Sequence, residues 1–501
     1  MKNYTLSIQP LGKTVQAPAG TLLQDVLFEY GVEFPCGGQG MCKGCRVKVL
    51  QGELPTTVLE ERAFPSDELA QGWRLACLHR LEGDLVLELA QWEMLILADA
   101  TTVSFTPASG VGAAVDLGTT TIVVQVVDRQ DGHVRAVASG LNPQARYGGD
   151  IMSRIQFEQG EKGVLTALVR EEIERLVQDA VHRAGQFTGI QEIVLAGNTA
   201  MHHLFCGLDI APLAVYPFEP HHPGLQRFSC TELGWRIEGN PQVEFLPNLG
   251  GFVGSDLLAG LMATRLHESE ALIALIDLGT NGEILIGNRD KILCASTAAG
   301  PAFEGGRIAM GMRASTGAIS SVTIQGGVMV CHTIGSAEPR GICGSGLVDA
   351  VACGLELGLI QSNGRLQNGA TELALHGPVR LIQKDIRELQ LAKAAIAAGI
   401  RILLDELGAT PDQVETMYLA GAFGNYLNPG HAKRIGLFPF PIEKVIPAGN
   451  TSLLGTKICL LNSLQDEIHF APVLSKIEHI PIHANMKFQE IYVDEMGFPA
   501  E

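Results

Sequence analysis

A strand-turn-strand pattern that occurs twice constrains this chain more than any other feature. The stretch AAVDLGTTTIVVQVVDRQDGHVRAVAS, beginning at Ala113, is an apolar run ending at Asp116, a glycine turn, a second run, a D-G turn signal and a third run. LIALIDLGTNGEILIGNRDKILCAS repeats it 161 residues downstream (277 minus 116), with Asp277, Gly279, Thr280 and Asn281 in the corresponding places. Such a repeat implies an internal duplication, in which two similar halves face one another across a cleft. The turns suit phosphates. Gly118 and Gly279 let backbone N–H groups approach phosphate oxygens, Thr119, Thr120 and Thr280 add hydroxyl donors, and Asp116 and Asp277 are candidates to hold Mg²⁺ directly or through water.

Each half also has a later glycine turn between an apolar strand and a helix. EIVLAGNTAMHHLF puts Gly197, Asn198 and Thr199 at a helix start that could meet phosphate. MYLAGAFGNYLNP puts Gly421, Ala422, Phe423 and Gly424 where a base and ribose could approach closely. GICGSGLVDAVACGL offers another turn at Gly344, Ser345 and Gly346, for which nucleotide contact and plain helix capping are both open. Glu283 and Glu304 are candidates to orient a water for hydrolysis, the latter in GPAFEGG, which starts at Gly300. No G-x-x-x-x-G-K-[ST] occurs, which disfavours a P-loop NTPase.

Near the start of the chain, PCGGQGMCKGC (35 to 45) holds Cys36, Cys42 and Cys45 as C-x5-C-x2-C, and Cys77 in WRLACLHRLEGDLVLEL completes a set of four thiols. Iron-sulfur clusters take soft thiolate ligands, and glycines let the chain wrap closely enough to turn N–H groups toward the sulfides. A zinc site would more often show two C-x2-4-C knuckles, so the spacing favours [2Fe-2S]. Around the loop, YTLSIQP alternates like a strand, TLLQDVLFEYGV has helical spacing with Thr21 as candidate N-cap, and CRVKVLQGEL alternates again. The other cysteines, Cys206, Cys230, Cys294, Cys331, Cys343, Cys353 and Cys459, are scattered and read as small buried hydrophobes.

Composition narrows the partners. A net charge of -18 over 501 residues argues against a broad basic surface for nucleic acid or an anionic membrane. No stretch of about 18 uncharged apolar residues appears, and clustered cysteines in such a chain are better read as reduced ligands than as disulfides, which points to the cytosol.

Residues 1 to 91 resemble a [2Fe-2S] ferredoxin of the β-grasp fold. The first cysteine gap is one residue longer than in plant-type ferredoxins, as in the adrenodoxin-like and some activator-protein ferredoxins. Residues 111 to 480 resemble the actin, sugar-kinase and heat-shock-protein ATPase superfamily, with phosphate motifs at Asp116 to Thr120 and Asp277 to Gly282 and an adenosine motif at Gly421 to Gly424. GPAFEGG and QKDIRELQLAKAAI (383 to 396) narrow the match. The whole chain resembles reductive activators of corrinoid-dependent methyltransferase systems. The resemblance implies an α+β β-grasp ferredoxin domain (1 to 91), a linker (92 to 110), and a duplicated α/β actin-like ATPase with subdomains at 111 to 270 and 271 to 501, the second with a C-terminal extension. Longer members carry an additional small domain after the ferredoxin, for which a connector of about twenty residues leaves no room.

The implied cofactors are a [2Fe-2S] cluster held by Cys36, Cys42, Cys45 and Cys77, ATP and Mg²⁺. The implied activity is ATP-dependent: coupled to ATP hydrolysis, it passes an electron from a low-potential donor, through the cluster, to the Co(II) corrinoid of a partner protein, restoring Co(I). A homodimer is left open. Two rivals remain at this stage: a small-molecule kinase with an accessory ferredoxin domain, and a nucleotide-binding redox sensor without enzymatic activity. His202 and His203 lack metal-ligand spacing, His221 and His222 lie in a Pro-rich surface loop, and His133 in DGHVRA reads as a turn residue rather than a cobalt ligand.

Overall fold

The computed structural model describes residues 2–9, 12–28, 30, 32, 40, 45–89, 105–185, 189–279, 281–424, 426–463 and 467–500. Cys36, Cys42, Thr280 and most of the 92 to 110 connector lie outside the described residues. The chain divides into two compact units, neither continuous in sequence. One comprises 1–95, 145–153 and 300–390, the other 96–144, 154–299 and 391–501.

In the first unit a mixed five-stranded sheet runs in the order Lys13–Pro18, Asn3–Gln9, Leu85–Leu89, Arg46–Gln51, Trp73–Leu75. Asn3–Gln9 is parallel to Leu85–Leu89 and the other pairings are antiparallel. Alternation decides the facing: Leu6, Ile8, Leu85, Leu87 and Leu89 are buried, and Leu23 and Leu27 of the helix Leu23–Phe28 are buried with them. This is the β-grasp arrangement. Thr21 does not cap that helix: its hydroxyl donates to the Pro18 carbonyl, closing the turn before it.

The same unit contains a three-stranded sheet, Val328–Thr333, Ala318–Gln325 and Gly341–Ile342, against which the helix Gly344–Glu356 packs. Arg340 joins it to the ferredoxin fold. Its guanidinium donates to the Leu89 carbonyl at 3.3 Å and to Glu88 Oε1 at 2.9 Å, while its own carbonyl accepts from Arg46 Nη2 at 3.3 Å. Replacing it removes two hydrogen bonds from a charged group, together worth about 1 kcal/mol at a part-exposed site. Arg340→Ala is therefore expected to lower the melting midpoint of the ferredoxin part by about 5 °C, followed through visible absorption of the bound cluster.

In the second unit the duplication is plain in two six-stranded sheets. The first runs Gln226–Ser229, Gln242–Phe245, Ile190–Gly197, Val111–Leu117, Thr121–Asp128, Val134–Leu141. The second runs Val445–Gly449, Val414–Ala420, Leu272–Leu278, Gly282–Gly287, Ile292–Thr297, Ile477–His479. In each, the strand that ends in D-L is antiparallel to its hairpin partner on one side. On the other it is parallel to the strand that runs into the later glycine turn. The central strands are buried on both faces, which is why they read as unbroken apolar runs rather than alternating ones.

Helices Ser255–Thr264 and Thr451–Leu461 cross between the sheets. Gly455 lies so close to the Ala259 carbonyl that a Cβ would overlap it, and a Cβ at Gly260 would lie 3.1 Å from Thr451 Oγ1.

Candidate functional site

Asp116 and Asp277 hold the same place in each sheet. Asp116 sits opposite Val123 of its hairpin and Ala196 of the parallel strand; Asp277 sits opposite Glu283 and Ala420. Each aspartate is thus one position from the later glycine turn of its half, Gly197 or Gly421. Strand register alone brings each aspartate beside that turn. The hairpin turns differ, however. Four residues separate Leu117 from its partner Ile122, three separate Leu278 from Gly282, and the closing bonds are Gly118 N to Thr121 O and Gly279 N to Asn281 O, both 3.0 Å.

Around the first turn, Asn142 donates to the Gly118 carbonyl through Nδ2, and its backbone amide donates to Thr120 O. Asn198 caps the helix Thr199–Cys206 by accepting from Met201 N at 3.0 Å, and its Nδ2 donates to Thr119 Oγ1 at 2.9 Å. The Thr199 hydroxyl is spent on Gly250 O. It supports the loop before Ser255 rather than pointing a free donor at a ligand.

Four buried carboxylates influence one another here, and one of them, Asp256, carries no motif that the sequence reading used. Burial raises the Asp277 carboxyl, and Asp256 and Asp116 add to it, to about 7. Burial likewise raises Asp256 to about 7 against the Leu257 amide, with Asp116 adding to the rise. Burial lifts Glu283 well above the carboxylate range, with Asp256 and Asp277 adding to it. Asp116 is raised by burial but relieved by Asn450 Nδ2 on Oδ2 and Ser452 Oγ on Oδ1, both 2.8 Å. These two donors stand where the helix Thr451–Leu461 begins, 334 and 336 positions away in sequence.

Clustered carboxylates held short of full ionisation suit a divalent cation, whose charge would offset their mutual repulsion. Among the described residues no group of three or more His, Cys, Asp or Glu is arranged to hold a metal by itself. Mg²⁺ takes one or two carboxylates together with phosphate oxygens and water.

Gly421 is where close approach matters most. Its φ is +86°, and a Cβ there would lie 2.6 Å from Asp277 Oδ1 and 2.7 Å from Leu278 O. Gly421→Ala is expected to weaken nucleotide binding roughly tenfold, through about 1.4 kcal/mol of strain and a displaced Asp277. Titration with a fluorescent ATP analogue checks it, and cluster content serves as the control. Phe423 and Gly424 belong to the same short helix, Gly421–Gly424, as does Ala422.

Gly300, Glu304, Gly344 and Ser345 belong to the first unit, so the fold does not gather all the candidates into one unit. Glu304 ends the short helix Pro301–Glu304. The helix Gly344–Glu356 has no side-chain cap at Cys343, and Ser345 Oγ donates to Ser320 O at 2.8 Å. Ser345 is thereby committed to the sheet beneath.

Cys45 and Cys77 are buried, neither is in a disulfide, and their segments are hydrogen-bonded, Ala76 N to Cys45 O at 3.0 Å. Adjacent strands continue the link, with Arg46 opposite Leu75. Two buried thiols on adjacent segments fit a shared cluster. Cys206, Cys230, Cys294, Cys343, Cys353 and Cys459 are buried as expected, whereas Cys331, on the strand Val328–Thr333, is only half-buried, and burial pushes the Cys230 and Cys353 thiols up to about 11, as inert core cysteines.

His202 and His203 are fully buried, with Nε2 atoms lacking a hydrogen bond, and burial pushes His202 down to about 3. Phe245 packs edge-on to His202, which marks a neutral core residue. His221 and His222 are exposed, and His133 precedes the strand Val134–Leu141.

A β-grasp ferredoxin joined to a duplicated, carboxylate-lined fold of the actin class is the kind of molecule these features define. Residues 271–501 match the family described as the C-terminal domain of RACo, the ASKHA domain, residues 111–269 match the RACo middle region, and residues 6–82 match the 2Fe-2S iron-sulfur cluster binding domain. The chain belongs to this family of reductive activators of corrinoid proteins.

Among its relatives is the corrinoid activation enzyme RamQ of Eubacterium limosum, 34% identical over 76% of this chain and 69% of that protein. The [Co(II) methylated amine-specific corrinoid protein] reductase of Methanosarcina barkeri is 28% identical over 77% of each. Among solved structures, a reductive activator for corrinoid, iron-sulfur protein superposes with a TM-score of 0.69 at 27% identity, over 99% of this chain and 98% of that one.

Proposed function

We propose that this chain uses ATP to drive one electron from a [2Fe-2S] cluster to the Co(II) corrinoid of a partner protein, restoring Co(I). The observation that carries the reading is the joining, in one chain, of two buried thiols on hydrogen-bonded segments with duplicated glycine turns that each follow a buried aspartate, Asp116 or Asp277. Family membership and the printed activities of the two relatives support it. When bound, the cluster supplies a one-electron carrier.

In this reading Cys36, Cys42, Cys45 and Cys77 hold the cluster. Asp116 and Asp277 serve Mg²⁺ and the phosphates, and Glu283 and Asp256 orient water by accepting its hydrogen bonds. Gly118, Thr119, Thr120, Gly197, Asn198, Gly279, Thr280 and Asn281 line the phosphates, and Gly421 to Gly424 take the nucleoside. Gly300, Glu304, Gly344 and Ser345 stay candidates of the first unit.

A ferredoxin passing electrons downhill has no need of an ATPase. Moving one electron uphill by about 100 mV costs about 2.3 kcal/mol. Nucleotide at about 100 times its dissociation constant favours the state that binds it by about 2.7 kcal/mol. Binding is therefore enough to favour a complex in which the partner's Co(II) loses a stabilising ligand and its potential rises toward the donor's. In this reading a low-potential donor reduces the cluster in the cytosol, and neither nucleic acid nor membrane takes part. No helix among the described residues is long and apolar enough to cross a membrane.

The test is anaerobic visible spectroscopy of reduced protein mixed with several Co(II) corrinoid proteins. Growth of Co(I) only with Mg-ATP supports the reading. No Co(I) with any partner, alongside ATP consumption when small metabolites are added, would instead indicate a kinase.

A further inference from the structure

Glu60 has two tasks, only one of which is local. With Thr57 it forms a capping box at the start of the helix Val58–Ala63: Glu60 N donates to Thr57 Oγ1 at 3.3 Å, and Oε2 accepts from Thr57 N at 2.8 Å and Thr57 Oγ1 at 3.0 Å. A capping glutamate ordinarily sits half in solvent, because its partners are on the first turn of an exposed helix. This one is fully buried.

The second carboxylate oxygen explains the burial. Oε1 accepts from Leu75 N at 2.7 Å and from His79 Nε2 at 2.8 Å, on either side of Cys77. Cys77 lies in the short helix Ala76–Leu78, so one carboxylate grips the chain two residues before and two residues after a cluster ligand. Leu75 is also the strand partner of Arg46, next to Cys45. The other end of the grip is fixed as well, since the His79 carbonyl accepts from Leu23 N at 3.0 Å.

Burying a charge is costly unless donors compensate it, and four hydrogen bonds do so here. Their result is a fixed negative charge beside the turn that carries Cys77. Adding an electron near a fixed negative charge is disfavoured, so such a charge lowers a reduction potential.

We propose that Glu60 is a positioning residue of the iron-sulfur site: it clamps the Cys77 turn from both sides, and its buried charge holds the cluster's potential low. The inference rests on the reading above that Cys77 ligates the cluster. It deepens that reading by naming a residue that makes the cluster a strong reductant.

The test compares Glu60→Gln and His79→Gln in the full-length holoprotein, after iron and sulfide analysis of wild type. Wild type without a cluster would remove the underlying reading, whereas a loaded wild type lets the inference stand or fall by itself. Redox titration by electron paramagnetic resonance is the readout. Glu60→Gln keeps the shape and removes the charge, and is expected to shift the one-electron equilibrium at least tenfold toward the reduced form, about 59 mV upward. His79→Gln keeps an amide donor for Oε1 and leaves the Glu60 charge in place, so its potential is expected to stay or to fall.

A merely structural clamp would move both variants the same way, since each loosens the same turn. Equal upward shifts, or a Glu60→Gln potential equal to wild type, overturn the proposal. If Glu60→Gln does not retain its cluster, His79→Gln decides alone: an unchanged or lower potential supports the charge role, and a higher one overturns it.

Discussion

Asp277→Asn is expected to lower ATP-dependent Co(I) formation by about 100-fold or more while making the nucleotide-free protein more stable. The loss follows from removing a carboxylate that serves the metal and phosphates, whose stabilisation of transition-state charge is worth several kcal/mol at about 1.4 kcal/mol per factor of ten. The gain follows from the same side chain's surroundings. Burial, Asp256 and Asp116 raise its pKa to about 7, well above the value of about 3.9 expected when unfolded.

The sign of the linkage is then fixed. A carboxyl raised in the folded state stabilises the fold below pH 4, and that contribution is lost as the pH rises toward 7, where the folded protein must ionise it against its neighbours. At pH 8 the nucleotide-free chain therefore bears a penalty of about 2–4 kcal/mol, shared among coupled carboxylates. Asparagine removes a part of it. Calorimetric scans at pH 5.5 and pH 8 without Mg²⁺ should show wild type less stable at the higher pH and the variant with a smaller difference. Equal pH dependence in both proteins would contradict the carboxylate account.

Cys77→Ser is expected to have the other large effect, abolishing the cluster's visible absorption and reducing Co(I) formation to background, with nucleotide binding unchanged. Serine is close to cysteine in size, so the buried turn at Ala76–Leu78 keeps its shape. What is lost is the soft thiolate that iron requires. Asp277→Asn should do the reverse, keeping the absorption and losing nucleotide affinity. Binding isotherms and spectra of the two variants side by side check the separation. Loss of both activities in both folded variants would mean that the cluster and the nucleotide site are not the separate parts described here.

Much of this was legible in the chain itself, because the informative features were local. The two D-L-G-T turns announced a duplication that strand register displays, residue for residue, at Asp116 and Asp277. Asn198 acts as the cap its position suggested. What escaped was long-range or ambiguous in kind. Asp256 lies 140 positions from Asp116 (256 minus 116) in GGFVGSD, which reads as an ordinary turn into a helix.

Asn450 and Ser452 likewise resemble a plain helix start, and only the fold carries them to Asp116. The hairpin turns look alike as motifs, yet one is a residue longer, a difference visible only when partners across the strands are known. Thr21 shows the opposite failure: a good capping residue whose hydroxyl the preceding turn claims first. Glu60 shows a third, since T-x-x-E signals a cap and says nothing of the distant backbone that its other oxygen holds.

The backbone contact of Gly455 with Ala259, and the close seat of Gly260 on Thr451, have a mechanical meaning. Two helices this close cannot slide past one another, because each step would drive a side chain into main-chain atoms. A larger residue at Gly455 would have to push the helices apart at their crossing, and the start of the helix Thr451–Leu461 would carry Asn450 and Ser452 away from Asp116 with it.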